Sequence, residues 1–391
     1  MTKVRKKEYK GIDVYQAALE RTRDLFRRFD KICVSFSGGK DSTAVLNVAL
    51  DVAHERGDTP IDVVFFDEEA IHPPTIEYVN RIRQRDDVNL YWYCLEFKHR
   101  NACSNEEPYW YCWDRYKKDY WVRPMPECAI TEHPRFERGM TFQEWGKDIY
   151  PRSSKSIAML TGIRTEESLR RYQVIAKKKN DVYFNSKSEG RTNTFRAFPV
   201  YDWSSKDVWL AVTKHGWDYN RTYDYFNKTE LHNLFLKQRV CPPFGEEPIR
   251  GLHLYAECFP ELWHKMIYRV KGAATAYRYA NTHLYSNANT KPADLTYQEY
   301  IYVILDSFDQ ESRNALKRQL NMYIKKHFRH TSQEIPEYEH HPLSGISWRF
   351  LCGVAIRGDF KSRASSKPVE HAIERRQKLG ITEEEAKRLY S

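Results

Sequence analysis

The alternation of strand-like and helix-like segments over the first hundred residues constrains this chain more than any other feature. Residues 12–29 carry Val14, Ala17, Leu19, Leu25 and Phe26 at helical spacing, and the β-rich run KICVSFS follows at 31–37. A helix is predicted from about Ser42 to Arg56, then an apolar run, IDVVFF, that stops at Asp67 and two glutamates. Helical sequence resumes at 75–85, and VNLYWYCLEF (88–97) reads as a third strand. Unbroken apolar strands separated by helices belong in a parallel sheet covered on both faces. The expected fold class is therefore α/β, with a doubly wound parallel sheet.

The first strand–helix junction, SFSGGKDS, has a chemistry of its own. Ser37-Gly38-Gly39 lets the backbone turn with its amides convergent, because glycine adopts conformations denied to residues with a Cβ and allows close approach. Asp41 or Ser42 is placed to cap the helix that follows, whose N-terminus favours an anion. Lys40 adds a full positive charge. Asp41 would repel a phosphate, so it implies a second task, such as holding Mg²⁺ or a ribose hydroxyl. The spacing is not that of the Walker loop GxxxxGK[ST].

The regular alternation stops at residue 98. Residues 98–152 are dense in aromatics, cysteines and charges and read as an insertion beside the site or a lid over it. Strand and turn signals return at 155–171 and 194–216, where DWSS supplies a helix cap. Beyond residue 230 the sequence turns mainly helical: 1–230 reads as a nucleotide-binding domain, 231–360 as a helical extension and 361–391 as a polar tail ending in a short helix. One or two long helices are expected over 296–328, with Lys317, Arg318, Lys325, Lys326 and Arg329 forming either a solvated face or a nucleic-acid contact.

Composition narrows the partners. The net charge of +10 favours anions, and 14% aromatic residues supply both core and faces on which bases stack. The eight cysteines form no CxxC pair, which fits free thiols in a reducing cytoplasm and disfavours an iron–sulfur cluster. Cys112, Cys128, Cys241, His253 and Cys258 are the residues from which a zinc site would have to be drawn. No apolar run is long enough to span a membrane, and the charged N-terminus is not followed by a signal-like segment.

The residues SGGKDS resemble the SGGxDS loop of the adenine nucleotide alpha hydrolases, which include ATP pyrophosphatases and phosphoadenylylsulfate (PAPS) reductases. TGIRTEESLRR, through Gly162, Arg164, Glu167, Ser168 and Arg171, is similar to the second signature of the PAPS reductase branch. FPVYDWSSKDVW matches that branch's structural helix cap through Pro199, Asp202, Trp203, Asp207, Val208 and Trp209. Segments 239–255 and 264–282 resemble a subgroup with a C-terminal domain of unknown function, including predicted PAPS sulfurtransferases and the immunoglobulin-binding regulator A protein. The resemblance implies an adenine nucleotide, ATP with Mg²⁺ or PAPS, bound by Ser37, Gly38, Gly39, Lys40, Asp41, Ser42, Asp67, Gly162, Arg164, Arg170 and Arg171. Asp41 is the implied Mg²⁺ ligand. The three arginines suit phosphate or sulfate oxygens through bidentate contacts.

The reductase's C-terminal E-C-G-x-H cysteine is missing: Cys352 lies in an apolar run, where a buried inert thiol is expected. Cys241, after Arg239 and before a rigid Pro-Pro turn, is the thiol that could stand near the nucleotide, and Cys112 is a weaker candidate. Two chemistries follow, both using Lys40, Asp41, Arg164, Arg171 and Cys241 as the catalytic set. One is adenylation of an acceptor with pyrophosphate release, completed by a sulfur donor. The other is transfer of the PAPS sulfonyl group. A ParB-like or sulfur-transfer protein is an expected partner, whose identity would point to the acceptor. A nucleotide-sensing regulator that binds DNA or a protein is the non-catalytic alternative.

Overall fold

A computed structural model describes residues 11–104, 106–146, 149–150, 155–176, 183–185, 193–230, 234–245, 248–279, 295–306, 308, 310–356 and 363–391. The chain divides into two compact units. The first comprises residues up to Lys98 and Tyr111–Pro242, and the second His99–Trp110 with Pro243–Ser391.

The first unit is built on five parallel strands: β1 (Lys31–Phe36), β2 (Ile61–Phe66), β3 (Val88–Tyr93), β4 (Ile157–Thr161) and β5 (Thr194–Ala197), in the order β3-β2-β1-β4-β5. Helices α1 (Val14–Arg28), α2 (Lys40–Arg56) and α3 (Pro73–Arg83) alternate with the first strands. Helix α2 buries Ala44 through Leu50 without a break, as a helix enclosed on several sides must. The expected third strand is shorter than its apolar run: it ends at Tyr93, where the chain bends to bridge Ile130. The strand order reverses between β1 and β4. In open parallel sheets ligands bind at such a switch point, outside the carboxyl ends of the strands. SFSGGKDS leaves β1 and TGIRTEE leaves β4 at that point. Helix α4 (Leu169–Ala176) continues from the second of these loops, followed by α5 (Ser205–His215) and α6 (Thr222–Asn227). The cap read in DWSS is present: Ser204 and Asp207 form a reciprocal capping box, and Trp203, 1% exposed, donates its Nε1 proton to the Val14 carbonyl.

The second unit is helical. Its core gathers Leu305, Leu316, Leu320, Tyr323, Ile346, Phe350, Leu351 and Cys352 from helices Tyr297–Asp306, Gln310–Phe328 and Trp348–Ile356 and their connections. The expected helical stretch over 296–328 is thus two helices, and the Cys352 thiol is sealed in the core. Gly345, at φ +68°, has no room for a side chain, because a Cβ would stand 1.6 Å from the Pro368 carbonyl oxygen.

Two pairs of histidines stand together in this unit. His340 stacks on His371 with ring centroids 3.8 Å apart, and His327 lies edge-on to His341 at 5.0 Å. Burial, then neighbouring imidazoles, holds His340 and His341 down to about 4, and burial also lowers His327 and His371. Because their folded values lie below the unfolded value, the stability they contribute is present above about pH 6.5 and is lost as the pH falls toward 4. The melting transition of this unit is expected about 5–10 °C lower at pH 4.5 than at pH 7.5. Calorimetric scans at the two values check this, and an unshifted transition refutes it.

Candidate nucleotide-binding site

Ser35 of β1 pairs with Thr161 of β4, so the loops beginning at Ser37 and Gly162 leave the sheet side by side. They touch through backbone. A Cβ on Gly162 would lie 2.7 Å from the Asp41 carbonyl carbon and 2.8 Å from the Ser42 nitrogen. Glycine is required there for close approach, while Gly38 is required for its φ of +70°.

The loop departs from the expected cap. Gly39 occupies the N-cap of α2 and no side chain caps the helix. Ser42 instead donates its hydroxyl to the Gly39 carbonyl (2.9 Å) and accepts from the Ser37 amide (3.2 Å). Asp41 is held between cations, at 3.1 Å from Lys40 Nζ and 2.6 Å from Arg164 Nε. Among the described residues, the amides of Gly38, Asp41 and Ser42 meet no acceptor. A turn of bare amides at a helix N-terminus is a cradle for an anion.

Lys40 is 4% exposed. Burial lowers its affinity for a proton, and Arg164 and Arg239 push the same way, while Asp41 opposes them. A buried ammonium so placed gains from a bound phosphate, which supplies the counter-charge that water cannot.

The remaining framework draws on Asn220 and Tyr223, from a part of the chain with no recognisable motif, and on the segment that leads to Cys241. Asn220 donates from Nδ2 to the Gly38 carbonyl (2.8 Å) and to Thr75 Oγ1 (2.8 Å). The Tyr223 hydroxyl accepts the Lys40 amide at 2.9 Å. The segment 238–241 runs beside the loop: the Gln238 carbonyl faces Lys40 Nζ at 3.4 Å, and Val240 Cγ2 lies 3.5 Å from where a Gly39 Cβ would stand. His72, whose basicity burial pushes down to about 3, shares a hydrogen bond with the Val240 backbone. Cys241 follows, exposed.

The arginines differ in their duties. Arg164, 3% exposed, donates to Asp41, to Glu166 (3.3 Å), to the Trp203 carbonyl (3.2 Å) and to Ser205 (3.4 Å). It is a strut that sets Asp41 and the start of α5. Arg171 is paired with Glu167, and the side chain of Arg170 lies outside the described residues.

Asp67 sits at the end of β2 with no exposure, accepting from Trp92 Nε1 (2.7 Å), the Glu69 amide (2.9 Å) and Arg123. Glu69, at φ 59°, accepts the amide of Trp113, itself at φ 54°, at 2.6 Å. The aromatic segment after residue 110 is therefore pinned to the end of β2 through Trp113 and Arg123. Cys112 lies in this buried region. Its thiol points at the Leu95 and Phe97 carbonyls, and burial raises it well above the ordinary thiol range.

Among the described residues no three His, Cys, Asp or Glu side chains could hold a metal ion, and the zinc candidates are not gathered. Asp41 already gives one oxygen to Lys40 and the other to Arg164, so Mg²⁺ would first have to displace a cation. Among the described residues no helix is long and apolar enough to cross a membrane.

Comparison with known proteins shows the family of the chain. Residues 31–228 match the phosphoadenosine phosphosulfate reductase domain, and residues 234–339 match a domain of unknown function (DUF3440). The chain is 31% identical over 377 residues to the uncharacterized protein YbdN of Escherichia coli (strain K12), covering 91% of this chain and 90% of that one. Among solved structures, phosphoadenylyl-sulfate reductase from Candida auris, in a phosphate complex, aligns at 15% identity with a TM-score of 0.30, covering 53% of this chain and 84% of that one. FMN adenylyltransferase of Candida glabrata, with FAD and inorganic pyrophosphate, aligns at 14% identity and a TM-score of 0.35, covering 56% and 64%. With the family match spanning half the chain and the bacterial relative nearly all of it, the protein belongs to the phosphoadenosine phosphosulfate reductase domain family, in the form that carries a DUF3440 domain after it.

Proposed function

We propose that the first unit binds the phosphates of an adenine nucleotide at Ser37–Ser42 and uses the nucleotide as a group donor. The observation that carries this reading is the set of unpaired amides at Gly38, Asp41 and Ser42 around the buried Lys40 ammonium. With ATP, an acceptor nucleophile attacks the α-phosphorus, the bond to the bridging oxygen breaks, and pyrophosphate leaves with the electron pair. Lys40 and the bare amides offset the charge that develops on the phosphate oxygens. Arg164 acts as a positioning residue through Asp41.

The exposed Cys241 beside the loop favours a second donor, PAPS. Its thiolate would attack the sulfonyl sulfur, forming a sulfur–sulfur bond as the bond from sulfur to the phosphate oxygen breaks. Adenosine 3′,5′-bisphosphate would leave. Sulfur handling after adenylation and sulfonyl transfer from PAPS share the loop and differ in the atom attacked.

Isothermal titration with ATP, PAPS and adenosine 3′,5′-bisphosphate separates them. Binding of PAPS and the bisphosphate supports sulfonyl transfer, and binding of ATP alone supports adenylation. Lys40→Met keeps the buried stem and removes the charge, and is expected to weaken the bound nucleotide roughly 10- to 100-fold, the worth of one or two charge-assisted hydrogen bonds. A variant with full affinity and full pyrophosphate release would remove Lys40 from the site.

A further inference from the structure

Helix Gln310–Phe328 of the second unit has two unlike faces. Leu316, Leu320, Tyr323 and His327 recur at helical spacing and are buried in the core. The opposite face carries Arg318, Asn321, Met322 and Lys325, all exposed, and continues to Arg329 just past the helix end. These residues, with Lys326, line a groove of about 660 Å³, and among the described residues no aspartate or glutamate lines it. Among the described residues no carboxylate pairs with Arg318, Lys325 or Arg329, although many other surface cations of the chain are paired.

The helix dipole explains only part of this. Cations in a last turn are favoured, which accounts for Lys325 and Lys326. Arg318 stands nearly three turns before the helix end, where that field has faded. From Arg318 to Arg329 the row runs about 16 Å at ~1.5 Å per residue, too long for one phosphate and long enough to follow several along a strand. Met322, 43% exposed in the middle of the row, offers an apolar contact for a sugar or base edge.

We propose that this groove is a nucleic-acid site, in which Arg318, Lys325 and Arg329 follow the phosphodiester backbone. Contacts of this kind read charge and spacing and carry no sequence information. The site stands on the second unit and does not depend on the reading of the phosphate loop. It offers the acceptor class that a group-transfer domain on the same chain would serve.

The test uses the full chain and labelled 20-nucleotide oligomers, single-stranded and duplex, in fluorescence anisotropy titrations between 50 and 200 mM salt. The triple variant R318Q/K325Q/R329Q is compared with R83Q/K214Q/R388Q, which removes the same charge from exposed positions elsewhere. Binding by the unaltered chain is expected to fall steeply with salt. The groove variant is expected to bind roughly tenfold or more weakly, with a log–log salt slope flatter by about 2–3, the contribution of three phosphate contacts. The charge-matched variant should bind like the parent, and both should melt like the parent and keep its nucleotide affinity. Equal weakening in both variants, no binding of either oligomer at 50 mM salt, or full competition by 1 mM inorganic phosphate would each overturn the proposal. So would a groove variant that loses binding to anionic vesicles while keeping its oligomer affinity.

Discussion

Gly162→Ala is expected to abolish nucleotide binding, with an affinity loss of roughly 100-fold or more, while the chain still folds. The added methyl would sit 2.7–2.8 Å from the backbone of Asp41 and Ser42, and backbone at the start of a buried helix has nowhere to go. The two loops must separate, and with them the amides of Asp41 and Ser42. Overpacking of this kind costs about 1–3 kcal/mol, which a protein of ordinary stability survives. Calorimetric titration beside a melting curve distinguishes a lost site from a lost fold. Gly251→Ala is the control, since a Cβ there meets only Pro243 at an ordinary 3.6 Å. Retention of affinity within about threefold by the Gly162 variant would mean that the loop amides are not the phosphate cradle.

Arg164→Lys should be nearly as damaging, although it conserves charge. The guanidinium serves four acceptors at once, and an ammonium on a thinner stem cannot reach them together. With Arg164 gone from its side, Asp41 is left to Lys40 alone, and the lysine charge is spent on the carboxylate instead of on a phosphate. A stability loss of about 2–4 kcal/mol and a 10- to 100-fold loss of nucleotide affinity are expected. Asp41→Asn added to Arg164→Lys should return part of the affinity, because it removes the competing carboxylate. A double variant no better than the single one would show that Arg164 acts by another route.

These two residues also mark what was legible in the sequence. The strand–loop–helix alternation gave the parallel sheet, since apolar runs and helical spacing are local patterns. SGGKDS and GIRTEES announced themselves as loops because glycine and paired charges are unusual at strand ends. The contact between them was not readable: Gly162 and Asp41 are separated by more than a hundred residues and joined by nothing periodic. Asn220, Tyr223 and Gln238 were missed for the same reason, as common side chains whose importance comes only from where the fold delivers them. Arg164 was legible as a residue of the site, while its duty was not, because four acceptors from three segments decide it. The cysteines show the limit most clearly. Cys112 and Cys241 are similar in sequence terms, each beside aromatics or cations, and the fold buries one and leaves the other exposed.

The second unit draws twelve residues, His99–Trp110, from the middle of the first. Asn101 Nδ2 reaches the Lys271 carbonyl at 3.0 Å, Ala102 donates to the Phe244 carbonyl at 2.8 Å, and Trp110 lies under the Arg269 guanidinium. During synthesis this segment emerges about 130 residues before its partners, a wait on the order of 7–27 s at cellular elongation rates. The newborn chain must carry an unsheltered tryptophan strand through that interval, so shortened genes ending near residue 242 should yield a sticky product that leans on chaperones, and the two halves of this protein are best inherited, expressed and swapped as one piece.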